Sequence, residues 1–454
     1  MHILLRIFCL FILHFTNTLP ETMQDYYFIC VIFCSILTVF ANQSTQVHNT
    51  RTSGNVKLPP PIIIYKNAPD FDVFSWRLCK ALHEVEKTNS VISTISLKLV
   101  LLMLYEGAQG NTSRQLERVV GFNGSKQWTR DRYSQKIKSL KSHDANDYEL
   151  DMGTKLFMDQ HVQPNTQFLE TIIRWYNSSF EIVDFRNPDS AVISINNWAK
   201  QITHGHIQQL LTEADTKENT ALVLLNAVYF KGYWTYPFDK LLTKEGVFYL
   251  NSESTVNVSM MITLNSFKIA NLPSLNSRLI CLPYQGNKFV MYIILPDNID
   301  GLNDLVNQIN PVILGDTIKT MQSYMIKVVL PKFNFEYTSI LGPILQKLGI
   351  TDMFGVKADL KNIGIGPMGN NLIVSNVLQK AGLEVNEQGS IAHAATEVEL
   401  DHRIGISVED IFEVNRPFLF LIEDITMDTI VFVGKVTNPL SRGPTTVPIP
   451  LNNQ

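Results

Sequence analysis

The chain has 454 residues, 45% of them hydrophobic and 18% charged, and its 38 Lys plus Arg against 42 Asp plus Glu leave a formal net charge of −4. That composition supports a large apolar core and excludes a disordered chain of low hydrophobicity. The slight acidity argues against nucleic-acid binding by the whole protein. Length alone leaves room for several domains, but no Gly/Ser-rich or Pro-rich linker interrupts residues 65–440, so a single domain is expected there.

Two apolar runs come first, at residues 3–15 and 26–41. The second ends Val39-Phe40-Ala41, a small-residue cleavage pattern before Asn42. Neither run reaches the ~20 apolar residues of a spanning helix. Residues 1–41 therefore read as a leader, with Met23 as an alternative start, a signal peptide at 23–41, secretion as its consequence and no stable membrane association after cleavage. An uncleaved anchor is the competing reading. Cys9, Cys30 and Cys34 fall in this leader, and the remaining Cys79 and Cys281 do not make a disulfide framework. Sequons at Asn42, Asn111, Asn123, Asn177 and Asn257 are candidate glycosylation sites on a secretory route. Residues 42–64 are polar and then proline-rich, as expected of a flexible arm.

Helical periodicity begins at Asp70, a good cap, with Phe71, Phe74, Leu78, Ala81, Leu82 and Val85 at spacings of three and four. A second helix is expected over 93–108, with Leu97, Val100, Leu101 and Leu104 on one stripe. Gly107-Ala108-Gln109-Gly110 should close it, with Thr112 as the cap of the next. Residues 126–141 form a basic helical stretch. At about 100° per residue, Lys126, Arg130, Lys138 and Lys141 share a third of its circumference, while Arg132 and Lys136 lie nearly opposite. Such a run is most simply a solvated face.

Further helices are expected over 163–175 and 193–207. His204-x-His206 in the second has no third ligand nearby and is rejected as a metal site. Residues 221–230, ALVLLNAVYF, read as a central strand covered on both faces. Gly364-Ile365-Gly366-Pro367-Met368-Gly369 satisfies G-x-G-x-x-G, but it lacks the preceding strand and following helix of a dinucleotide site. There is no nucleophile elbow, H-E-x-x-H or P-loop, so neither an enzyme nor a cofactor is expected.

Residues 383–404 carry an unusual pattern. Leu383 and Val385 begin a strand, which Gly389 interrupts. Ser390, Ala392, Ala394, Thr396, Val398 and Leu400 then share one face at period two, with Glu397, Glu399 and Asp401 on the other. Alanine and glutamate are poor strand formers, so this is a weak strand with the facing of a half-buried one.

The segment Glu387-x-Gly389-Ser390 with its small-residue run resembles the hinge of a serpin reactive-centre loop. The resemblance extends to Asn226-Ala227-Val228-Tyr229-Phe230-Lys231-Gly232-Tyr233-Trp234, Leu282-Pro283-Tyr284, Ile294-Leu295-Pro296, Leu330-Pro331-Lys332-Phe333, and Leu348-Gly349-Ile350 with Met353-Phe354. It closes with Asn415-Arg416-Pro417-Phe418-Leu419-Phe420 and Gly434-Lys435-Val436-Thr437-Asn438-Pro439. The order matches the family over roughly residues 65–440.

The resemblance implies an α+β serpin fold of about nine helices and three β-sheets with an exposed reactive-centre loop, followed by a disordered tail at 441–454. The hinge would be Glu387, Gly389, Ser390, Ala392, Ala394, Ala395 and Thr396, and the family register from Gly389 places the scissile bond at Arg403–Ile404. Independently of the family, Arg403 is the only Lys or Arg between Gln388 and Asn415. The resemblance thus implies a secreted, monomeric suicide inhibitor of a trypsin-like serine protease, with a non-inhibitory carrier, chaperone or binding protein as the alternative. It also makes Lys126, Arg130, Lys138 and Lys141 candidates for a sulfated polysaccharide, since the matching helix binds glycosaminoglycans in some members. Ser93, Ser96, Asn226 and Gln379 would form the shutter below the main sheet. Ile391 and His393 in the hinge, Thr94 in place of the usual proline, and Gln379 in place of a common histidine depart from the family pattern.

Overall fold

The computed structural model describes residues 73–122, 124–141, 147–212, 220–388 and 410–442. Among them are nine α-helices: α1 (Val73–Val85), α2 (Thr94–Gly107), α3 (Gly110–Val120), α4 (Lys126–Lys141), α5 (Thr166–Tyr176), α6 (Pro188–Ile202), α7 (Leu302–Gln308), α8 (Pro311–Thr320) and α9 (Gly342–Leu348). The strands are β1 (Ser90–Ile92), β2 (Tyr148–Asp159), β3 (Gln163–Pro164), β4 (Ser179–Val183), β5 (Leu222–Gly232), β6 (Lys244–Tyr249), β7 (Thr255–Leu272), β8 (Ser277–Pro283), β9 (Phe289–Pro296), β10 (Gln322–Pro331), β11 (Phe333–Ile340), β12 (Gly364–Ile365), β13 (Val374–Val385), β14 (Asp410–Glu413), β15 (Phe418–Asp424) and β16 (Thr429–Val436).

Three sheets result: a nine-stranded one, a five-stranded one in the order β11-β13-β5-β2-β4, and the short pair β12-β3. This is the α+β architecture expected. The apolar run at 221–230 is β5, buried along nearly its whole length at the centre of the five-stranded sheet. Its inner-face residues Leu222, Leu224, Val228 and Phe230 join the main core, with α2 and the nine-stranded sheet. Its outer-face residues Val223, Leu225 and Ala227 join a second core under α6 with Ile207, Leu210, Leu211 and Leu378. The five-stranded sheet is thus covered on both faces at β5, as a continuous apolar strand requires.

Every residue of α2 is buried, and the Ser93 side chain caps it by accepting from Ser96 N. An all-round apolar helix belongs in the middle of a large core. Three expected boundaries are corrected. Thr112 does not cap α3: the helix already starts at Gly110 with Gln109 at the cap, and Thr112 Oγ1 instead accepts from Asp359 N at 3.0 Å. Residues 163–164 pair with β12, and α5 starts after Asn165, whose side chain captures the amides of Gln167 and Phe168. The helix expected at 193–207 runs from Pro188 to Ile202. Asn187 caps it with Pro188 in its first turn, and His204 and Gly205 at positive φ follow its end at Thr203. Residues 364–369 form β12 and a single 3-10 turn with no α-helix after it, so the glycine pattern has no dinucleotide context.

Candidate functional site at the seam between β5 and β13

The five-stranded sheet has an asymmetry at its centre. β13 runs antiparallel to β11, and β5 antiparallel to β2, but β13 and β5 are parallel to each other from Val374↔Leu222 to Glu384↔Lys231. Parallel ladders are slightly less stable per residue than antiparallel ones. The chain leaves β13 at Val385, at the end of this seam, and next returns to the described structure at β14, on the edge of the nine-stranded sheet. A strand that turned back at that point and entered the seam would run antiparallel to both neighbours. It would replace one parallel ladder with two antiparallel ones.

On the inner face, the sequence-expected shutter residues meet across the seam. Gln379 is 1% exposed and Ser93, Ser96 and Asn226 are fully buried. Gln379 accepts from Ser93 N at 2.7 Å and donates to Ser93 O at 3.0 Å and to Asn226 Oδ1 at 2.8 Å. Asn226 in turn donates to Gly153 O at 2.9 Å and Thr154 Oγ1 at 3.0 Å on β2. An amide supplies all three Gln379 contacts, whereas a neutral imidazole has one donor and one acceptor. The departure from histidine is therefore accommodated by a richer network. Ser96 belongs to the same neighbourhood through its backbone N, 3.4 Å from Ser93 Oγ, but its own buried hydroxyl has no partner among the described residues. Thr94, in place of proline, uses its hydroxyl to bond Ile430 O on β16 at 3.0 Å. Proline offers no such donor.

At the seam's end Glu387 is 7% exposed and held by Lys332 Nζ at 2.9 Å and the Thr243 hydroxyl at 3.2 Å. Burial works against its charge, but Lys332 and the other donors keep its carboxyl below the usual range. Trp234 Nε1 donates to Asn386 O at 3.0 Å, and its ring stacks on Tyr284 at 4.4 Å. Gly232 allows that packing, since a Cβ there would lie 2.3 Å from the Tyr284 ring. Sequence reasoning misses Lys332, Thr243 and Trp234 as site residues: Lys332 and Trp234 lie inside motifs, but nothing local pairs them with Glu387 or Asn386. The other hinge positions (Gly389, Ser390, Ala392, Ala394, Ala395 and Thr396) and the bond Arg403–Ile404 lie outside the described residues, as do the leader, Asn42 and Asn123.

The basic stripe of α4 is only partly a free surface. Arg130 makes a two-pronged pair with Glu106 of α2 at 2.8 and 2.7 Å, and Tyr176 donates to the same carboxylate at 2.6 Å. Lys126 donates to Glu106 O at 2.9 Å, and burial lowers its pKa. Lys138 and Lys141 are exposed, whereas Lys136 is buried against Thr429. Asn111, Asn177 and Asn257 are all exposed. His204 pairs with Asp151 at 2.9 Å and His206 with Glu149 at 3.4 Å. Among the described residues no three His, Cys, Asp or Glu side chains gather as metal ligands, and no helix is long and apolar enough to cross a membrane.

Residues 71–439 match the family model described as Serpin (serine protease inhibitor). Serine protease inhibitor 2 of Anopheles gambiae is 34% identical over 375 residues, covering 81% of this chain and 91% of that protein. Among solved structures, Serpin48 of the insect Tenebrio molitor superimposes with a TM-score of 0.72 at 28% identity, over 80% of this chain and 96% of that one. Human thyroxine-binding globulin gives a TM-score of 0.73 at 28% identity, over 81% and 97%. With the fold, the central parallel seam and these likenesses together, the chain belongs to the serpin family.

Proposed function

We propose that this serpin is secreted and acts, as a monomer, as a suicide inhibitor of a trypsin-like serine protease, with Arg403–Ile404 as its bait bond. The observation that carries the reading is the parallel β5–β13 seam, from whose end the bait-bearing segment departs. The serine hydroxyl of the protease attacks the Arg403 carbonyl, the peptide bond to Ile404 breaks, and the Ile404 amine leaves with a proton from the catalytic histidine. The ester to Arg403 then links protease and inhibitor. A specificity pocket ending in a carboxylate pairs with the guanidinium through two charge-assisted hydrogen bonds.

Once cut, residues 390–400 enter the seam antiparallel to both strands and carry the acylated protease with them. Small side chains at Ser390, Ala392, Ala394 and Thr396 suit an entering face, and the acidic side chains opposite them stay in water. The bulkier Ile391 and His393 fall on that outer face by parity. Likeness to thyroxine-binding globulin supports the second reading, a non-inhibitory carrier.

Incubation of the purified protein with trypsin separates the two. The inhibitor gives an SDS-stable complex and cleavage after Arg403, and Ala392→Arg or Thr396→Arg abolishes the complex while leaving cleavage. Clean cleavage of the unaltered protein without a complex contradicts inhibition and favours the carrier.

A further inference from the structure

On the outer face of the seam, an aromatic side chain reaches across it. Tyr229 on β5 is the register partner of Gly382 on β13, and a Cβ at Gly382 would stand 2.9 Å from the Tyr229 ring. With no side chain at 382, the ring lies over β13 and its hydroxyl donates to Glu384 Oε2 at 2.9 Å. Lys231 on β5 approaches the other Glu384 oxygen at 3.5 Å. Burial, and then the Glu384 charge, hold the phenol well above its usual pKa, so it remains a donor. The ring's solvent side is covered by His206, stacked at 3.7 Å and 6° from parallel. His206 comes from the segment after α6 and is steadied by Glu149 on β2. Tyr229 is 4% exposed as a result.

Neighbouring strands lie about 4.8 Å apart. A strand between β5 and β13 roughly doubles their separation, and the Tyr229–Glu384 bond cannot span it. The ring also reaches from β5 to Gly382 on β13, across the gap that an entering strand must open. We propose that Tyr229, seated over Gly382 and covered by His206, is a side-chain bolt across the seam and a positioning residue that sets the rate of loop insertion. This rests on the inhibitory reading above.

The test follows entry of a fluorescein-labelled peptide with the sequence of residues 390–403 into the intact protein by fluorescence anisotropy. Tyr229→Phe should accelerate entry roughly three- to tenfold, the effect of one hydrogen bond present in the closed seam and absent from the open one. His206→Ala should accelerate it as well. Tyr324→Phe removes the 2.7 Å hydroxyl bond to Gln322 on β10, in the nine-stranded sheet and not at this seam, and should leave the rate unchanged. The unfolding midpoint of Tyr229→Phe should fall in the empty protein but match the unaltered protein once the peptide is in place. Equal entry rates for Tyr229→Phe and the unaltered protein overturn the proposal alone, as does an equal loss of stability in empty and filled forms. Failure of the peptide to enter any of these proteins overturns the insertion reading itself.

Discussion

Glu423 and Gln379 show two ways of holding a polar side chain in the core. Gln379 has three hydrogen bonds across its amide. Glu423 on β15, 1% exposed, accepts from Tyr292 at 3.0 Å, and its second oxygen has no partner among the described residues. Burial, partly offset by Tyr292, pushes its pKa from 4.5 up to about 8. Between those values the folded protein retains a proton that the unfolded chain has released, so this group's contribution to stability falls as pH rises through that window. Glu423→Gln keeps the shape and the acceptor for Tyr292 but has nothing to titrate. Its unfolding midpoint should therefore gain on that of the unaltered protein as pH rises from about 4.5 to about 8. Scanning calorimetry of both proteins across that range checks this, and curves that stay parallel would contradict it.

At the scale of elements, the inner-face network ties the turn before α2 to β13, β5 and β2 through Ser93, Gln379, Asn226 and Thr154. Gln379→Ala strands Ser93 N and Asn226 Oδ1 in the core, at about 1–3 kcal/mol for each group left unsatisfied, while Ser93 O still accepts from Leu97 N at 3.1 Å. The native unfolding midpoint should drop clearly, and Gln379→His should recover part of the loss. A Gln379→Ala protein as stable as the original in thermal unfolding would remove the network from the account. Much of this scale was legible in the sequence. Apolar periodicity set α2 within a residue or so at each end, and the ALVLLNAVYF run is the central strand. The misplaced ends of α5 and α6 have local causes: Asn165 and Asn187-Pro188 are start signals that outweigh the apolar repeat, and His204-Gly205 ends a pattern the repeat would have continued. Periodicity makes 126–141 a helix with the basic stripe on one face, and α4 spans those residues. Periodicity does not reveal that part of this face meets a buried carboxylate from α2.

For the whole molecule, motifs in family order made the fold readable, because each marks a strand or turn of the same architecture. Pairing between distant segments was not readable. Nothing local in Glu387 points to Lys332 or Thr243, nothing in Trp234 to Asn386, and nothing in Tyr229 to Glu384. Those contacts gather around one seam, the place where, in the proposed inhibitory mechanism, the segment after β13 would become a strand between β13 and β5 once Arg403–Ile404 is cut. The direct measurement is the crystal structure of the protein cleaved at that bond, with its unfolding midpoint beside that of the intact form. Residues 390–400 should then form a sixth strand antiparallel to both neighbours, with Gln379 separated from Asn226 and a large rise in the midpoint. A cleaved protein that keeps the Asn226↔Gln379 register, with its midpoint unchanged, would contradict the mechanism.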